Sequence, residues 1–426
     1  MGAGASRSTR WHGKVAVEIL TLVSSSAALR EEFGAAHGLL GGRMAAAPIP
    51  LETPPCPLCG SPGGGIVVGT KGRFDMDVRN IACHECALVY QSPRPTYAAM
   101  MEYYAGEYRR QYANVRFPNG DDTVGLGEPG YEAAMDAWHR FQAEASAKLS
   151  TPAPGARVLE IGCRHGRTLS IMRERFGIEP HGIEPGPEEA ALANAAGVRC
   201  FNGTLEAFEP GDLRFDVIQL FHVFEHLYDP LDALVRMRRL LSPGGRIVIE
   251  VPNVHQPYGL LEENFFQNAH TTNFSAETLP AILARAGLIS KHLVDEEVLF
   301  VLAVPDGEAS ELPRPFSHDM LAPPRHPATW VAERLATYHQ LEKLDHLLHR
   351  HGPSMELLQM LTKLLQGPSF VPHTVRVVTR TVEYFVARNA PRAAAAIAAS
   401  AAMGADTDEV REGFEQLAAA VGANAA

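Results

Sequence analysis

From residue 157 onward, short apolar segments alternate with amphipathic ones, and this alternation constrains the fold more than any other feature of the sequence. Seven segments have the length and apolar content of buried strands: 157–162, 181–184, 198–201, 215–221, 246–251, 288–294 and 298–304. Most of the segments between them have helical periodicity. Strands that alternate with helices are typical of the α/β class, and we predict a doubly wound, mostly parallel, seven-stranded sheet.

Five helices are predicted around these strands, and their ends carry ordinary start and stop signals. They cover residues 129–149, 167–176, 187–196, 230–241 and 275–286. Gly177 and Gly197 follow the second and third helices, and a Pro-Gly-Gly turn at 243–245 follows the fourth. For the fifth, Ser275 is expected as the N-cap and Gly287 as the residue after the C-cap.

The segments that flank this region divide the 426-residue chain further. Residues 1–50, rich in Ala, Gly and Ser, are expected to form a flexible or partly helical extension. Residues 51–128 would be a metal-binding module with its connecting segment, and 129–304 the sheet domain. Six prolines between 305 and 327 predict a linker over 305–328. Leucines at helical spacing predict a helical domain over 329–426, which would support association of identical chains.

Charge and hydropathy exclude several classes of partner. The formal net charge is −11 and no dense Lys/Arg cluster occurs, so a nucleic-acid partner is not expected. No apolar run approaches the roughly 18 residues of a membrane span, so no membrane partner is expected. The six cysteines are too few for a disulfide scaffold, which favours a reducing compartment and therefore the cytoplasm.

Four of the six cysteines form two C-x-x-C pairs, at Cys56 and Cys59 and at Cys83 and Cys86. Four thiolates at this spacing can close a tetrahedral shell around Zn²⁺. A redox role needs only one such pair, at a helix N-terminus. We therefore predict a structural zinc site without an open coordination position.

A glycine-rich junction follows the first predicted strand and has the pattern E-x-G-x-x-x-G at Glu160, Gly162 and Gly166. It does not match the G-x-G-x-x-G fingerprint of pyrophosphate-binding dinucleotide sites. Bare backbone at this junction would instead accept a ligand without phosphates. Glu184, at the end of the second strand, is placed to accept both hydroxyls of a ribose.

In its motifs and their order, the segment 130–304 resembles the class I S-adenosylmethionine-dependent methyltransferases. The matching segments are VLEIGCRHG, HGIEPGPEEA, GTLEAF, FDVIQLFHVFEHLYDP, LLSPGGRIVIEVPN and NFSAETLPAILARAGL. The resemblance implies S-adenosylmethionine as cofactor. The implied cofactor contacts run from the methionine end to the pocket mouth: Glu160, Gly162, Gly166, Glu184, Thr204, Leu205, Phe221 and His222. Arg164 stands where the family usually has Gly, so its side chain must point away from the cofactor or pair with the cofactor carboxylate.

The cysteine segment with its tyrosines, residues 56–108, is similar to the N-terminal zinc-binding module of deoxysugar C-methyltransferases and related enzymes. Those enzymes carry a tyrosine–glutamate–histidine cluster before a Phe-Ser helix start. Here His270 matches the histidine, while Gln267 and Ala269 stand at the tyrosine and glutamate positions. The departures weaken the assignment to sugar C-methylation.

The segment 222–226 reads His-Val-Phe-Glu-His and permits three interpretations. A zinc-protease interpretation is rejected, because that motif requires a helix and this one follows a strand. Methyltransferases with E-x-x-E-H at this place bind a divalent ion, and His222 and His270 would complete such a set here. Otherwise Glu225 and His226 are loop residues beside the cofactor.

Together these features predict an S-adenosylmethionine-dependent methyltransferase with a small-molecule acceptor of natural-product or saccharide type, methylated on carbon or oxygen. His270 or His226 is the expected base, with a rate that falls below a pKa near 6–7. Two alternatives stay open. One is a non-catalytic zinc-ribbon scaffold whose cofactor site is blocked by Arg164, and the other is a methyltransferase acting on RNA or protein.

Overall fold

The computed structural model describes residues 49–105, 129–258, 260–307, 311–336 and 338–339. The predicted extension before residue 49 and most of the predicted C-terminal helical domain lie outside these ranges. Contacts divide the chain into two units, and the described residues of the first, within Met1–His255 and Glu262–Val331, contain both main sheets. None of the helices in the described ranges is long and apolar enough to cross a membrane.

The N-terminal part folds into short strands around the cysteine pairs. Its elements are β1 (Leu51–Glu52), β2 (Gly65–Lys71), β3 (Asp77–Cys83), β4 (Val89–Gln91), β5 (Arg94–Pro95) and α1 (Tyr97–Ala105). β2, β3 and β4 form an antiparallel sheet, and β1 pairs with β5. Residues 84–86 turn the chain between β3 and β4, which places the second cysteine pair at that turn.

The second part has the alternating pattern predicted from the sequence. Its first elements are α2 (Pro129–Ser150), β6 (Arg157–Ile161), α3 (Arg167–Phe176), β7 (Glu179–Glu184), α4 (Pro187–Ala195), β8 (Arg199–Asn202) and β9 (Phe215–Phe221). The later ones are α5 (Pro230–Leu240), β10 (Leu241–Pro252), α6 (Leu261–Asn264), β11 (Thr272–Asn273), α7 (Thr278–Arg285), β12 (Leu288–Asp295) and β13 (Val298–Pro305).

Seven of these strands form one sheet in the order β12-β13-β10-β9-β6-β7-β8. The four pairs among β10, β9, β6, β7 and β8 are parallel, and β13 pairs antiparallel with both β10 and β12. The central strands are apolar because helices cover both faces, and six of the seven residues of β9 are buried. The predicted fold class is confirmed.

Two boundaries differ from the prediction by more than two residues. β10 begins at Leu241, so it includes the Pro-Gly-Gly turn, and its pairing with β9 is irregular between Leu241 and Arg246. α7 begins at Thr278 with Glu277 as its N-cap, so the expected Ser275 cap is wrong. The Ser275 hydroxyl still accepts hydrogen bonds from the Glu277 and Thr278 amides, each at 3.3 Å.

The fourth strand of the N-terminal sheet comes from the segment after β10. β11 pairs antiparallel with β4, with Thr272 opposite Tyr90 and Asn273 opposite Val89. The Gln91 side chain continues this contact and donates to the Gln267 carbonyl at 2.6 Å. The cysteine-containing sheet therefore shares a strand with the loop that follows β10.

Residues 311–331, which include most of the predicted Pro-rich linker, belong to the first unit and pack within it. The Arg314 amide donates to the Arg285 carbonyl at 2.7 Å, and Leu321 is buried in the hydrophobic core. The Ala322 amide donates to the Glu277 carbonyl at 3.2 Å. The domain boundaries stay predictions.

Candidate functional site

The candidate site lies at the carboxyl ends of the parallel strands, where doubly wound sheets bind their ligands. Four chain segments meet this edge: the junctions after β6 and β7, residues 222–226 after β9, and the loop after β10. All the predicted cofactor and base residues belong to these junctions, to the strand ends beside them, or to the turn after β8.

Gly162 and Gly166 are required by their backbone conformation and by their neighbours. Their φ angles are +71° and +76°, in the left-handed region that favours glycine. A Cβ atom on Gly162 would lie 2.6 Å from a Val223 methyl, and one on Gly166 would lie 2.8 Å from a Val198 methyl. Both positions therefore require glycine, and neither residue carries a side chain that would cover the backbone after β6.

Arg164 lies between the two glycines and also has a positive φ, +48°, although it carries a side chain. That side chain is exposed. Its backbone amide donates to Glu184 Oε2 at 3.0 Å, so the residue contributes to the site through the main chain.

Glu184 is held by two backbone amides, one on each carboxylate oxygen. The Arg164 amide donates to Oε2, and the Gly186 amide donates to Oε1 at 2.8 Å. Burial raises the pKa of this carboxyl, while the two amides favour its charged form. Each carboxylate oxygen has a second lone pair, so the group can accept further hydrogen bonds from a diol.

Glu160 is a buried carboxyl, only 5% exposed, whose hydrogen-bond partner is a neutral amide. Gln219 Nε2 donates to its Oε2 at 2.7 Å, and the Ser146 hydroxyl holds the Gln219 oxygen at 2.7 Å. Burial raises the pKa of Glu160 to about 8. A carboxyl in this environment suits a ligand that brings a positive charge, such as the ammonium of an amino acid.

The other predicted cofactor residues differ in exposure. Leu205 is 3% exposed and belongs to the hydrophobic core, and Thr204 beside it is half-buried. Phe221, at the end of β9, is 9% exposed and packs against Phe300 with ring centroids 6.2 Å apart. Their contacts with a cofactor stay predictions.

His222 lies between two acidic side chains, one of which the sequence analysis missed. Its Nδ1 is 3.5 Å from Glu225 Oε1, and its Nε2 is 3.6 Å from Glu250 Oε1. Burial lowers the pKa of His222, but the Glu250 and Glu225 carboxylates together raise it to about 9. Glu250 could have been recognised in the sequence as a single acidic residue inside the apolar strand β10, because a buried charge needs a partner.

Replacing Glu250 by glutamine should remove a pH-dependent part of the stability. The folded pKa of His222, about 9, lies above the unfolded value of about 6.5. The ion pair therefore stabilises fully below pH 6.5 and is lost as the pH rises through 9. By linkage the whole shift corresponds to roughly 3 kcal/mol at pH 6, and Glu250 supplies only part of it because Glu225 also raises the pKa of His222. Urea unfolding at several pH values should show a wild-type-to-variant difference that shrinks toward pH 10. A stability difference that does not change with pH would contradict this role of the ion pair. Glu174→Gln, on the exposed face of α3, is the control.

His226 and His270, the two candidate bases, lie together beside Glu225. Their rings meet edge to face with centroids 4.6 Å apart. Tyr104 contacts His226 Nδ1 at 3.2 Å through its hydroxyl. One ligand atom from each of Glu225, His226 and His270 lies within 4.8 Å of the other two. The structure thus brings together three of the four residues that the sequence analysis singled out as a base or a metal site. His222, the fourth, is not part of this group and lies instead between Glu225 and Glu250.

His270 is 4% exposed, and burial together with the nearby His226 and His222 holds its pKa well below the usual 6.5. One ring nitrogen bonds the Phe265 backbone, and Nδ1 has no hydrogen-bond partner among the described residues. His270 is therefore neutral near pH 7 with a free lone pair. The pKa near 6–7 that the sequence analysis expected for the base is therefore too high for His270, because that value is the one of an exposed imidazole and ignores burial.

The four cysteines of the two C-x-x-C pairs cluster as predicted. Their sulfur atoms lie within 4.8 Å of one another, with Cys56 and Cys86 3.5 Å apart and Cys59 and Cys83 3.6 Å apart. Sulfurs bound to one zinc ion at about 2.3 Å are about 3.8 Å apart in a tetrahedron. The four residues therefore fit a zinc ion without rearrangement of the chain.

Substitution of Cys83 by serine should remove the thiolate-bound metal and loosen residues 51–95. Cobalt bound by four thiolates gives an intense charge-transfer absorption, so the wild type should show this band and Cys83→Ser should lose it. Because metal binding drives the folding of such modules, limited proteolysis should then cut within this segment first. Cys200→Ser, outside the cluster, should retain the band. Unchanged absorption in Cys83→Ser would contradict the assignment.

A comparison with known families matches residues 132–293 to the family model described as "Methyltransferase domain". This range begins within α2 and ends within β12. It therefore contains Gly162 and Gly166, Glu184, and all the residues from His222 to His270. The cysteine pairs lie before it.

Among curated proteins, the chain is similar to a ubiquinone biosynthesis O-methyltransferase of Cereibacter sphaeroides. The two are 36% identical over 122 residues, which cover 27% of this chain and 49% of the relative. It is also 29% identical to a tRNA U34 carboxymethyltransferase of Methylococcus capsulatus, over 34% of this chain and 48% of the relative. The chain thus spans about half the length of these curated relatives.

Among solved structures, the chain is similar to an S-adenosylmethionine-dependent methyltransferase from Mesorhizobium loti. The TM-score is 0.33 and the identity 18%, over 38% of this chain and 97% of that structure.

Proposed function

We propose that this chain, whose residues 132–293 form a class I S-adenosylmethionine-dependent methyltransferase domain, transfers a methyl group from S-adenosylmethionine to a small-molecule acceptor. The observation that carries the proposal is the juxtaposition of Glu160, Glu184 and the His226–His270 pair around one edge of the sheet. The acceptor would be of natural-product or saccharide type, methylated on oxygen or carbon. The cytoplasm is the proposed location.

The residues at the ends of β6 and β7 suit S-adenosylmethionine. Glu184 would accept the ribose hydroxyls, and the backbone at Gly162 and Gly166 would face the methionine end. Glu160 lacks a cationic partner among the described residues, and the ammonium of the cofactor would supply one. Bound there, the cofactor supplies an electrophilic methyl group on a sulfonium. Thr204, Leu205, Phe221 and His222 are the proposed contacts on the adenine side and at the pocket mouth.

The histidine pair would remove the proton that a hydroxyl or carbon acid must lose on methylation. Neutral His270 offers Nδ1 as the acceptor, and the Glu225 carboxylate close by would stabilise the imidazolium that forms. His226 is the second candidate for this proton, and burial lowers its pKa in spite of the Glu225 charge.

A divalent ion held by Glu225, His226 and His270 is a second way to activate the acceptor. Neither carboxylate oxygen of Glu225 has a hydrogen-bond partner among the described residues, although the side chain is 2% exposed. An acceptor oxygen bound to such an ion loses its proton more readily, so no protein base would be needed. Treatment with a chelator too weak to remove zinc from the four-cysteine site distinguishes the two, since only the metal-dependent reaction then stops and is restored by added metal.

Titration of the full chain with S-adenosylmethionine tests the proposal against a non-catalytic scaffold. An enzyme should give saturable heat with one site per chain, whereas a scaffold should give none. An acceptor can then be sought by incubating small-molecule extracts with methyl-labelled cofactor and identifying labelled products by mass spectrometry. Label that appears only in RNA or protein would favour the alternative acceptors, of which the net charge of −11 disfavours RNA.

A further inference from the structure

We propose that His255, Glu277 and His326 form a second metal site, which binds Zn²⁺ and is separate from the four-cysteine site. The three residues come from different segments: the start of the loop after β10, the N-cap of α7, and the segment 311–331. One ligand atom of each lies within 4.8 Å of the other two. The inference does not depend on the proposed methyl transfer.

The ligand atoms of the three side chains lie close enough for one ion to contact all of them, once His326 Nδ1 moves away from Glu277 Oε1, with which it is now in direct contact. Glu277 Oε1 is 3.8 Å from His255 Nδ1 and bonds His326 Nδ1, while its Oε2 accepts the His326 amide at 2.7 Å. Two ligands of a tetrahedral zinc ion are roughly 3.4 Å apart when each bond is about 2.1 Å long. Two imidazoles with one carboxylate are a donor set that zinc uses in proteins and that leaves a fourth position for water.

The ligand side chains are fixed by burial and by their neighbours. Glu277 is 4% and His255 8% exposed. The His326 ring stacks on Trp330 with centroids 3.5 Å apart, and the His255 ring meets the same indole edge to face at 5.1 Å. A bound cation would place a full positive charge beside the buried Glu277 carboxylate.

Metal binding would replace the proton that His326 Nδ1 now shares with Glu277 Oε1. Imidazole binds a metal in its neutral form, so the ion occupies the Nδ1 lone pair and His326 keeps its remaining proton on Nε2. The N–H bond at Nδ1 breaks and its proton passes to solvent, so neither an oxidant nor a reductant is needed.

The bound ion would join three segments that the sequence keeps far apart. His255 follows Val254, whose amide donates to the Phe274 carbonyl at 2.9 Å and closes the base of the loop that carries His270. His326 belongs to the segment that leads to the C-terminal region. A metal here would therefore fix both the base of that loop and the attachment of residues 311–331.

Metal analysis of the full chain, saturated with zinc and then freed of unbound ion, tests the site. The wild type should hold at least two equivalents, and both His326→Ala and Glu277→Gln should each lose one. His318→Ala, in the same segment but outside the cluster, should hold as much as the wild type. The thiolate-to-cobalt absorption of the four-cysteine site should be unchanged in all of them.

Two results would overturn the site. One is a wild type that holds a single equivalent, bound by the cysteines. The other is a His326→Ala or Glu277→Gln protein that keeps the full wild-type content, which would mean an ion pair at this place or a metal elsewhere. Should His326→Ala fail to fold, Glu277→Gln decides, because it preserves shape and removes only the charge.

Discussion

Replacing Glu184 by alanine should weaken the binding of S-adenosylmethionine at least a hundredfold. The carboxylate would give the ribose two charge-assisted hydrogen bonds, each worth roughly 1.5–3 kcal/mol. Since about 1.4 kcal/mol corresponds to a factor of ten, losing both exceeds a factor of one hundred. Isothermal titration with the cofactor measures the change directly.

The same substitution also removes the acceptor for the Arg164 and Gly186 amides, so a structural effect must be separated from a binding effect. Glu184→Gln keeps the side-chain shape and one acceptor oxygen, and it should bind between the wild type and the alanine variant. Glu174→Ala, exposed on α3, is the surface control. A Glu184→Ala protein with a wild-type melting temperature and an affinity within threefold of the wild type would refute the proposed cofactor position.

Replacing His270 by alanine should lower turnover by roughly 10²–10⁴ while cofactor affinity stays the same, as expected for loss of a general base. Because its pKa lies well below 6.5, the wild-type rate should stay flat from pH 8 to pH 6.5 and fall only in more acidic solution. Steady-state rates over this range, with any acceptor identified by the labelling experiment, measure both effects.

His226→Ala is the matched comparison, because its ring contacts His270 and has a similar environment. If His270 is the base, the His226 variant should lose less activity and keep the pH profile. A drop of less than fivefold in His270→Ala would contradict the base assignment. Restoration of a chelator-treated wild type by divalent metal would instead favour the ion bound at Glu225.

The seven strands of the large sheet could be located along the chain because most of them have a simple local cause. The apolar run of β9 and the glycine after α3 gave the same bounds as the structure, since burial on both faces and a left-handed C-cap residue each leave a local signature. The pairing of β11 with β4 has no such signature. A strand of two residues, Thr272 and Asn273, is too short to show any periodicity, and the residues it pairs with lie 182 and 184 positions earlier in the chain.

The candidate site could be predicted where an acidic residue ends a strand, as at Glu184, and where the resemblance to a known family marks the position, as at His270. It was missed where a role depends on a partner distant in sequence. The role of Glu250 depends on its contact with His222 and on the Gln142 side-chain amide, which donates to it at 2.8 Å. Glu277, which falls inside the helix predicted over 275–286, lies close to two histidines that no spacing rule connects to it.

The shared strand has a consequence for anyone who wishes to recombine this protein with its relatives. The cysteine-bearing sheet is discontinuous in sequence: three of its strands precede residue 92, and the fourth is Thr272–Asn273. A chimera that exchanges only the N-terminal segment would join a foreign β4 to this β11 and leave Gln91 without its bond to the Gln267 carbonyl. The unit of exchange is therefore the N-terminal segment together with residues 265–275, transferred as a pair.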